Sequence, residues 1–137
     1  KKEFDKMIKV PEATGMLLQR MLSGIELFVG AKREDNFGHI VMFGMGGVFI
    51  EVLKDFTTGI VPLGEEEIRR MIKGIKSYDI IKGVRGKEGI EENKIFDVLQ
   101  RLSLLLEAAP EISELDINPL LGKGKQLIAV DARIKIN

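Results

Sequence analysis

Glu114-Leu115-Asp116-Ile117-Asn118-Pro119 leads into Gly122-Lys123-Gly124-Lys125, and Ala129-Val130-Asp131-Ala132-Arg133 follows. Read as a terminal β-hairpin, this stretch has a clear period. Side chains alternate faces along a strand. Leu115 and Ile117 turn toward a core, while Glu114, Asp116 and Asn118 turn the other way. With Gly122 to Lys125 as the turn, Asn118 falls near Ala129, and Asp131 is its diagonal neighbour on the same face. Asp116, Asn118 and Asp131 thus offer oxygen donors together, which suits a hard cation. Mg2+ keeps several waters and is usually held by one or two carboxylates plus substrate phosphates. Pro119 disfavours helical geometry at Asn118 and aims it along an extended chain. An Asp and an Asn on the open face of a hairpin are more often simply hydrated than ligating. Their place within an otherwise apolar strand favours a functional reason.

The rest of the chain sets the frame. Its 137 residues make one domain or a large part of one. Lys plus Arg and Asp plus Glu both number 21, so no overall field draws the chain to nucleic acid or a membrane. The absence of Cys excludes disulfides, thiolate nucleophiles and Cys-based metal sites. No apolar run approaches the roughly 18 residues of a membrane span, and no leader is visible, so a soluble cytoplasmic protein is expected.

Working outward, residues 2–9 read as a short polar helix stopped at Val10-Pro11. Residues 15–22 and 25–33 read as strands joined near Ser23-Gly24, and in the second Ile25, Leu27 and Val29 alternate with Glu26, Phe28 and Gly30. A turn over Glu34 to Gly38 leads to a strand over 39–45 that ends in Gly44-Met45-Gly46-Gly47. Strands over 48–54 and 57–62 follow. The period then changes. Glu65, Glu66 and Glu67 mark a helix N-terminus, with Ile68, Met71, Ile72 and Ile75 at helical spacing. Residues 80–89 read as a glycine- and lysine-rich loop. Ile95, Val98, Leu99, Leu102, Leu105 and Leu106 form one stripe of a helix over 91–108, stopped by Pro110. The last hairpin is expected over 112–117 and 126–132. Strands, then helices, then strands argue an α+β fold with a mostly antiparallel sheet flanked by helices.

Leu115 to Leu120, Ala129 to Arg133 and Phe43-Gly44-Met45-Gly46-Gly47-Val48-Phe49-Ile50-Glu51-Val52 together resemble an ATP-grasp domain. More narrowly, they resemble the C-terminal ATP-grasp lobe of the ADP-forming acetyl-CoA (acyl-CoA) synthetases, relatives of the succinyl-CoA synthetase beta subunit. The resemblance implies an acid-thiol ligase reaction. Acyl-CoA, phosphate and ADP are interconverted with free acid, CoA and ATP through a phosphohistidine. It implies Mg2+ and ATP or ADP as cofactors. The implied partners are a CoA-binding, alpha-type subunit or domain that carries the phosphohistidine, within a hetero-oligomer, and a preceding ATP-grasp lobe.

Residue by residue, Asn118 and Asp131 match the family's metal ligands, and Asp116 matches the acid that steadies the visiting phosphohistidine. Gln19, Arg20 and Met21 match the hinge that holds adenine, and Glu26 an acid near the ribose or phosphates. Gly46 and Gly47 bring backbone N–H groups toward a phosphoryl group. A plain glycine turn and an ordinary exposed strand acid are the competing readings of the last three. His39, the single histidine, is not taken for the phosphorylated residue. The basic Lys82 to Lys87 loop reads more simply as solvated than as an anion site. On this resemblance residues 1–14 are the remnant helix and linker of the preceding lobe, and 15–137 the nucleotide- and Mg-binding lobe. A chain so limited is expected to bind ATP weakly and to turn nothing over alone. The alternatives are another ATP-grasp ligase, a piece of a fused multi-domain enzyme and a non-catalytic interaction module.

Overall fold

The computed structural model describes residues 1–47, 52–84, 86 and 88–137. Its elements are α1 (Lys2–Met7), β1 (Ile25–Glu34), β2 (Gly38–Met45), β3 (Phe56–Ile60), α2 (Glu65–Gly74), α3 (Tyr78–Lys82), α4 (Glu92–Ala108), β4 (Ile112–Lys123), β5 (Gln126–Ala129) and β6 (Ala132–Ile136). The strands form one antiparallel sheet in the order β3-β2-β1-β4-β5, with β6 also on β4. This is the expected α+β arrangement. Among the described residues, no helix is long and apolar enough to cross a membrane.

Helices α2, α3 and α4 cover one face of the sheet. Leu27, Val29 and Ala31 of β1, Val41 and Phe43 of β2, and Leu115 and Leu120 of β4 share a core with Ile68, Met71 and Ile72 of α2 and Ile95, Leu99, Leu102 and Leu106 of α4. In α2 the three glutamates sit at the positive end of the helix dipole, and the apolar residues recur every three to four positions. Arg69 bonds Glu65 one turn back and lies 4.9 Å from the centre of the Phe96 ring, which joins α2 to α4. The expected stripe of α4 is narrower than its sequence suggests, because Leu105 is left exposed.

Several expectations are corrected. No strand forms over 15–22; that segment is irregular, with Leu17, Leu18 and Met21 almost fully exposed. Among the described residues, no strand pairs with it to take up its backbone hydrogen bonds. No residue from 1 to 26 is buried. The expected strand over 48–54 falls largely on residues 48–51, outside the described residues, and neither Val52 nor Leu53 is in a strand. Within the 80–89 loop, α3 occupies the first positions, while Arg85 and Lys87 lie outside the described residues.

The last hairpin is also longer and more irregular than expected. β4 continues through Asn118 and Pro119 to Lys123, which pairs with Gln126 across a two-residue turn. From Glu114 to Lys123, β5 and β6 pair with β4 in one common register, so they are a single return strand interrupted at Val130-Asp131. The β1–β4 register shifts at the same level. Phe28 alone faces both Asn118 and Pro119, a β-bulge. The bulge changes which residues of β4 face the core, from Leu115 and Ile117 before it to Leu120 and Gly122 after it.

Candidate functional site

The sheet face away from the helices carries the polar residues of β4 in rows that cross three strands. Lys32, Glu114 and Lys135 form one row, and Gly30, Asp116 and Arg133 the next. The third contains Phe28, Asn118 and Asp131. The backbone N–H of Asn118 donates to the Asp131 carbonyl at 3.2 Å, and that of Val130 donates to the Pro119 carbonyl at 3.0 Å. Asn118 and Asp131 therefore stand directly opposite each other. With Gly122 to Lys125 as the turn, the sequence puts them on a diagonal; in the structure Lys123 pairs with Gln126 across a two-residue turn, and this moves Asn118 from opposite Ala129 to opposite Asp131. Directly opposed residues share a face with Cβ atoms about 4.5–5.5 Å apart, close enough for one ion between their side chains.

The donor set suits a hard cation bound with a phosphate. It offers one amide oxygen and a carboxylate, with Asp116 two residues along the strand. Among the described residues there is no group of three or more His, Cys, Asp or Glu placed to hold a metal by themselves. An ion here would draw its remaining ligands from phosphate oxygens and water, as Mg2+ commonly does.

Charge is arranged around these groups. Lys135 bonds Glu114 at 3.3 Å, and Lys32 bonds Glu34 at 2.9 Å. Arg133 lies opposite Asp116 in register, yet its Nε reaches Asp131 Oδ2 at 3.5 Å. Asp116 has its carboxyl pushed above the ordinary range. Loss of hydration against the sheet is the main cause; Arg133 opposes it and Asp131 adds to it. Beside it, the Phe28 ring folds over Gly30. A Cβ at position 30 would meet that ring at 2.8 Å, so glycine is what lets an aromatic lie flat on this face.

Glu26 projects from the same face of β1, one row beyond Phe28. Its carbonyl accepts from the Gly46 N–H at 2.8 Å, and a Cβ on Gly47 would stand 2.6 Å from its carboxylate. Gly47 has φ +58°, the left-handed region that glycine enters freely. Glu26, Gly46 and Gly47 line one pocket of ≈ 390 Å³ together with Ile80. Gln19, Arg20 and Met21 are not brought to this group; they lie in the exposed irregular segment before β1. A wider cleft of ≈ 670 Å³, lined by Lys82, Glu88, Lys123 and Lys125 among others, opens at the β4–β5 turn and contains no expected site residue. His39 is structural: it is buried, and its Nε2–H donates to the Ile112 carbonyl at 2.6 Å.

Sequence reasoning named six residues on or beside this face and missed Arg133, Phe28 and Gly30 as its neighbours. Asp131 and Arg133 are spaced two apart, so a same-face pairing was available as a signal. Gly30 carried none, since its partner ring is visible only in three dimensions.

Comparison with known proteins places the fold. Residues 2–136 match the ATP-grasp domain family. The chain belongs to the ATP-grasp domain family. Among curated relatives, it is 42% identical over 127 residues to the beta subunit of acetate–CoA ligase [ADP-forming] II of Pyrococcus furiosus, covering 90% of this chain and 54% of that relative. It is 41% identical over 136 residues to 4-hydroxybutyrate–CoA ligase [ADP-forming] of Nitrosopumilus maritimus, covering 97% of this chain and 20% of that relative. The ATP-grasp chain thus spans about half the length of the beta subunits it matches, or less of longer relatives. Among solved structures, it is similar to Ca. Korarchaeum cryptofilum dinucleotide forming acetyl-coenzyme A synthetase 1 in complex with coenzyme A and Mg-AMPPCP, in which the phosphohistidine segment points towards the nucleotide binding site. The identity is 38% and the TM-score 0.81, with 85% of this chain and 55% of that one covered.

Proposed function

We propose that this ATP-grasp chain is the nucleotide- and Mg-binding wall of an ADP-forming acyl-CoA synthetase. The observation that carries the reading is the direct opposition of Asn118 and Asp131 on a sheet face that the helices leave open. Asn118 and Asp131 hold Mg2+ together with the nucleotide's phosphates. The ion neutralises charge on the transferred group; phosphoryl transfer otherwise depends on positioning and electrostatics. Asp116 accepts a hydrogen bond from the far ring nitrogen of a histidine brought by the CoA-binding partner, which fixes the imidazole tautomer. Its exposed place, one row from Asn118, supports this role. Glu26, Gly46 and Gly47 border the nucleotide, and Gln19 to Met21 serve as the hinge at adenine. Their exposure here agrees with a segment that packs against a second wall. On this reading residues 1–14 belong with the preceding lobe.

Relatives named for acetate and for 4-hydroxybutyrate are about equally similar to this region, which supports a choice of acid made elsewhere in the whole protein.

Asp131→Asn in the complete enzyme tests the assignment. Loss of the charged ligand removes part of the metal's contribution of several kcal/mol, so Mg-dependent phosphoryl transfer should fall about 100-fold or more. Transfer at near wild-type rate would show that Asp131 is not a metal ligand.

A further inference from the structure

We infer that Arg133 is a switchable counter-charge, held by Asp131 until a cation takes that carboxylate and then turned onto the nucleotide's phosphates; this rests on the metal site proposed above. Three observations carry it. Arg133 sits opposite Asp116 in the strand register and two residues from Asp131, so it neighbours both acids on the open face. Its only contact with either is through Nε to Asp131 Oδ2, at 3.5 Å. Among the described residues the guanidinium makes no other ion pair or hydrogen bond, and its planar fork faces solvent, with the side chain 82% exposed.

Such a pair is weak. It is long, single-pronged and hydrated, and exposed ion pairs of this kind contribute little. A guanidinium that now reaches Asp131 also reaches oxygens of any ligand sharing a metal ion with Asp131. Arrival of a divalent cation reverses the local sign. The carboxylate's charge is then spent on the metal, and Arg133 is repelled by it. The nearest uncompensated negative charge is on the phosphates. Two phosphate oxygens match the fork of an arginine, whereas an ammonium offers only a point charge. Lys32 and Lys135 are less suited, because each is already engaged with a glutamate.

This predicts opposite effects on metal alone and on metal with nucleotide. In the complete enzyme, Mn2+ binding is followed by electron paramagnetic resonance, first alone and then with a non-hydrolysable ATP analogue. Arg133→Met frees Asp131 from a competing cation, so Mn2+ alone should bind about threefold more tightly. The same variant loses a charge-assisted phosphate contact, so the analogue should bind about tenfold or more weakly with Mn2+ present. Arg133→Lys should restore the first value and recover only part of the second. Constants that move together, or analogue binding unchanged in Arg133→Met, would overturn the switch. A purely structural role would shift both in one direction. Asp131→Asn, measured alongside, separates the two levels: unchanged Mn2+ binding there overturns the metal site itself, while reduced binding there leaves Arg133 to be judged on its own variants.

Discussion

Removing the carboxylate of Asp55 should unfold the protein more readily than almost any other polar change. Asp55 is 2% exposed and lies just before β3. Its Oδ1 accepts the Lys76 N–H at 2.6 Å and its Oδ2 the Ser77 N–H at 2.8 Å, while its own carbonyl accepts the Met45 N–H at 3.2 Å. One residue thus joins the end of β2, through its backbone, to the link between α2 and α3, through its side chain. A hydrogen bond to a charged group contributes about 1.5–3 kcal/mol net, and a stranded buried donor costs a similar amount. The two bonds share one carboxylate and do not add fully. We expect Asp55→Ala to cost about 3–5 kcal/mol, an estimate from these same hydrogen-bond values. At about 2.1 cal/mol/K per residue, that lowers Tm by about 10–17 °C.

The pH dependence supplies a second check. Burial pushes Asp55 up, but the hydrogen bonds from Ser77 and Lys76, with the charge of Lys76, outweigh it and leave the carboxyl below the ordinary range. The folded state therefore releases this proton more readily than the unfolded one. The resulting stability is complete above the unfolded carboxyl's pKa and is lost as pH falls through the folded value. Asp55→Asn lacks that acid-sensitive part. In urea titrations, the gap between wild type and Asp55→Asn should be widest near pH 6 and close as the solution is made strongly acid. A loss below about 1 kcal/mol in Asp55→Ala, the level of an ordinary neutral hydrogen bond, would refute the reasoning. So would a gap between wild type and Asp55→Asn that does not change with pH.

Two further outcomes follow from single contacts. Tyr78 donates to Glu92 at 2.6 Å; that bond, with burial and the glutamate's charge, raises its phenol to about 12. It is the only tyrosine, and there is no tryptophan. Phenolate absorbance should therefore rise near pH 12 in the folded protein, about two units lower in denaturant, and between the two in folded Glu92→Gln, where burial still raises the phenol. Because the folded state holds this proton more tightly, the associated stability is lost as pH rises through the folded value. Gly30→Val should displace the Phe28 ring from beside Asp116 and cost about 1–3 kcal/mol of stability by overpacking. Urea titration and crystallography of the variant would show a wild-type ring position if the close approach at Gly30 were unimportant.

Period and local chemistry made much of this molecule legible. The amphipathic pattern of Ile68, Met71 and Ile72, and of Ile95, Leu99 and Leu106, is enough to make α2 and α4 and to choose their buried faces. Alternation in Ile25 to Ala31 likewise sets the core face of β1. Residues 15–22 misled, because apolar residues without a neighbouring strand cannot complete a ladder, and strand formation depends on that neighbour.

The candidate site divides in the same way. By itself the sequence determined which oxygen-bearing side chains share a face, since the two-residue period of a strand is local geometry and needs no partner. Only the tertiary structure decided which of them meet. The two-residue turn that pairs Lys123 with Gln126 set Asn118 opposite Asp131 rather than diagonal to it, and put Arg133 opposite Asp116 and within reach of Asp131. A register is a property of two strands together, and neither strand's sequence carries it alone.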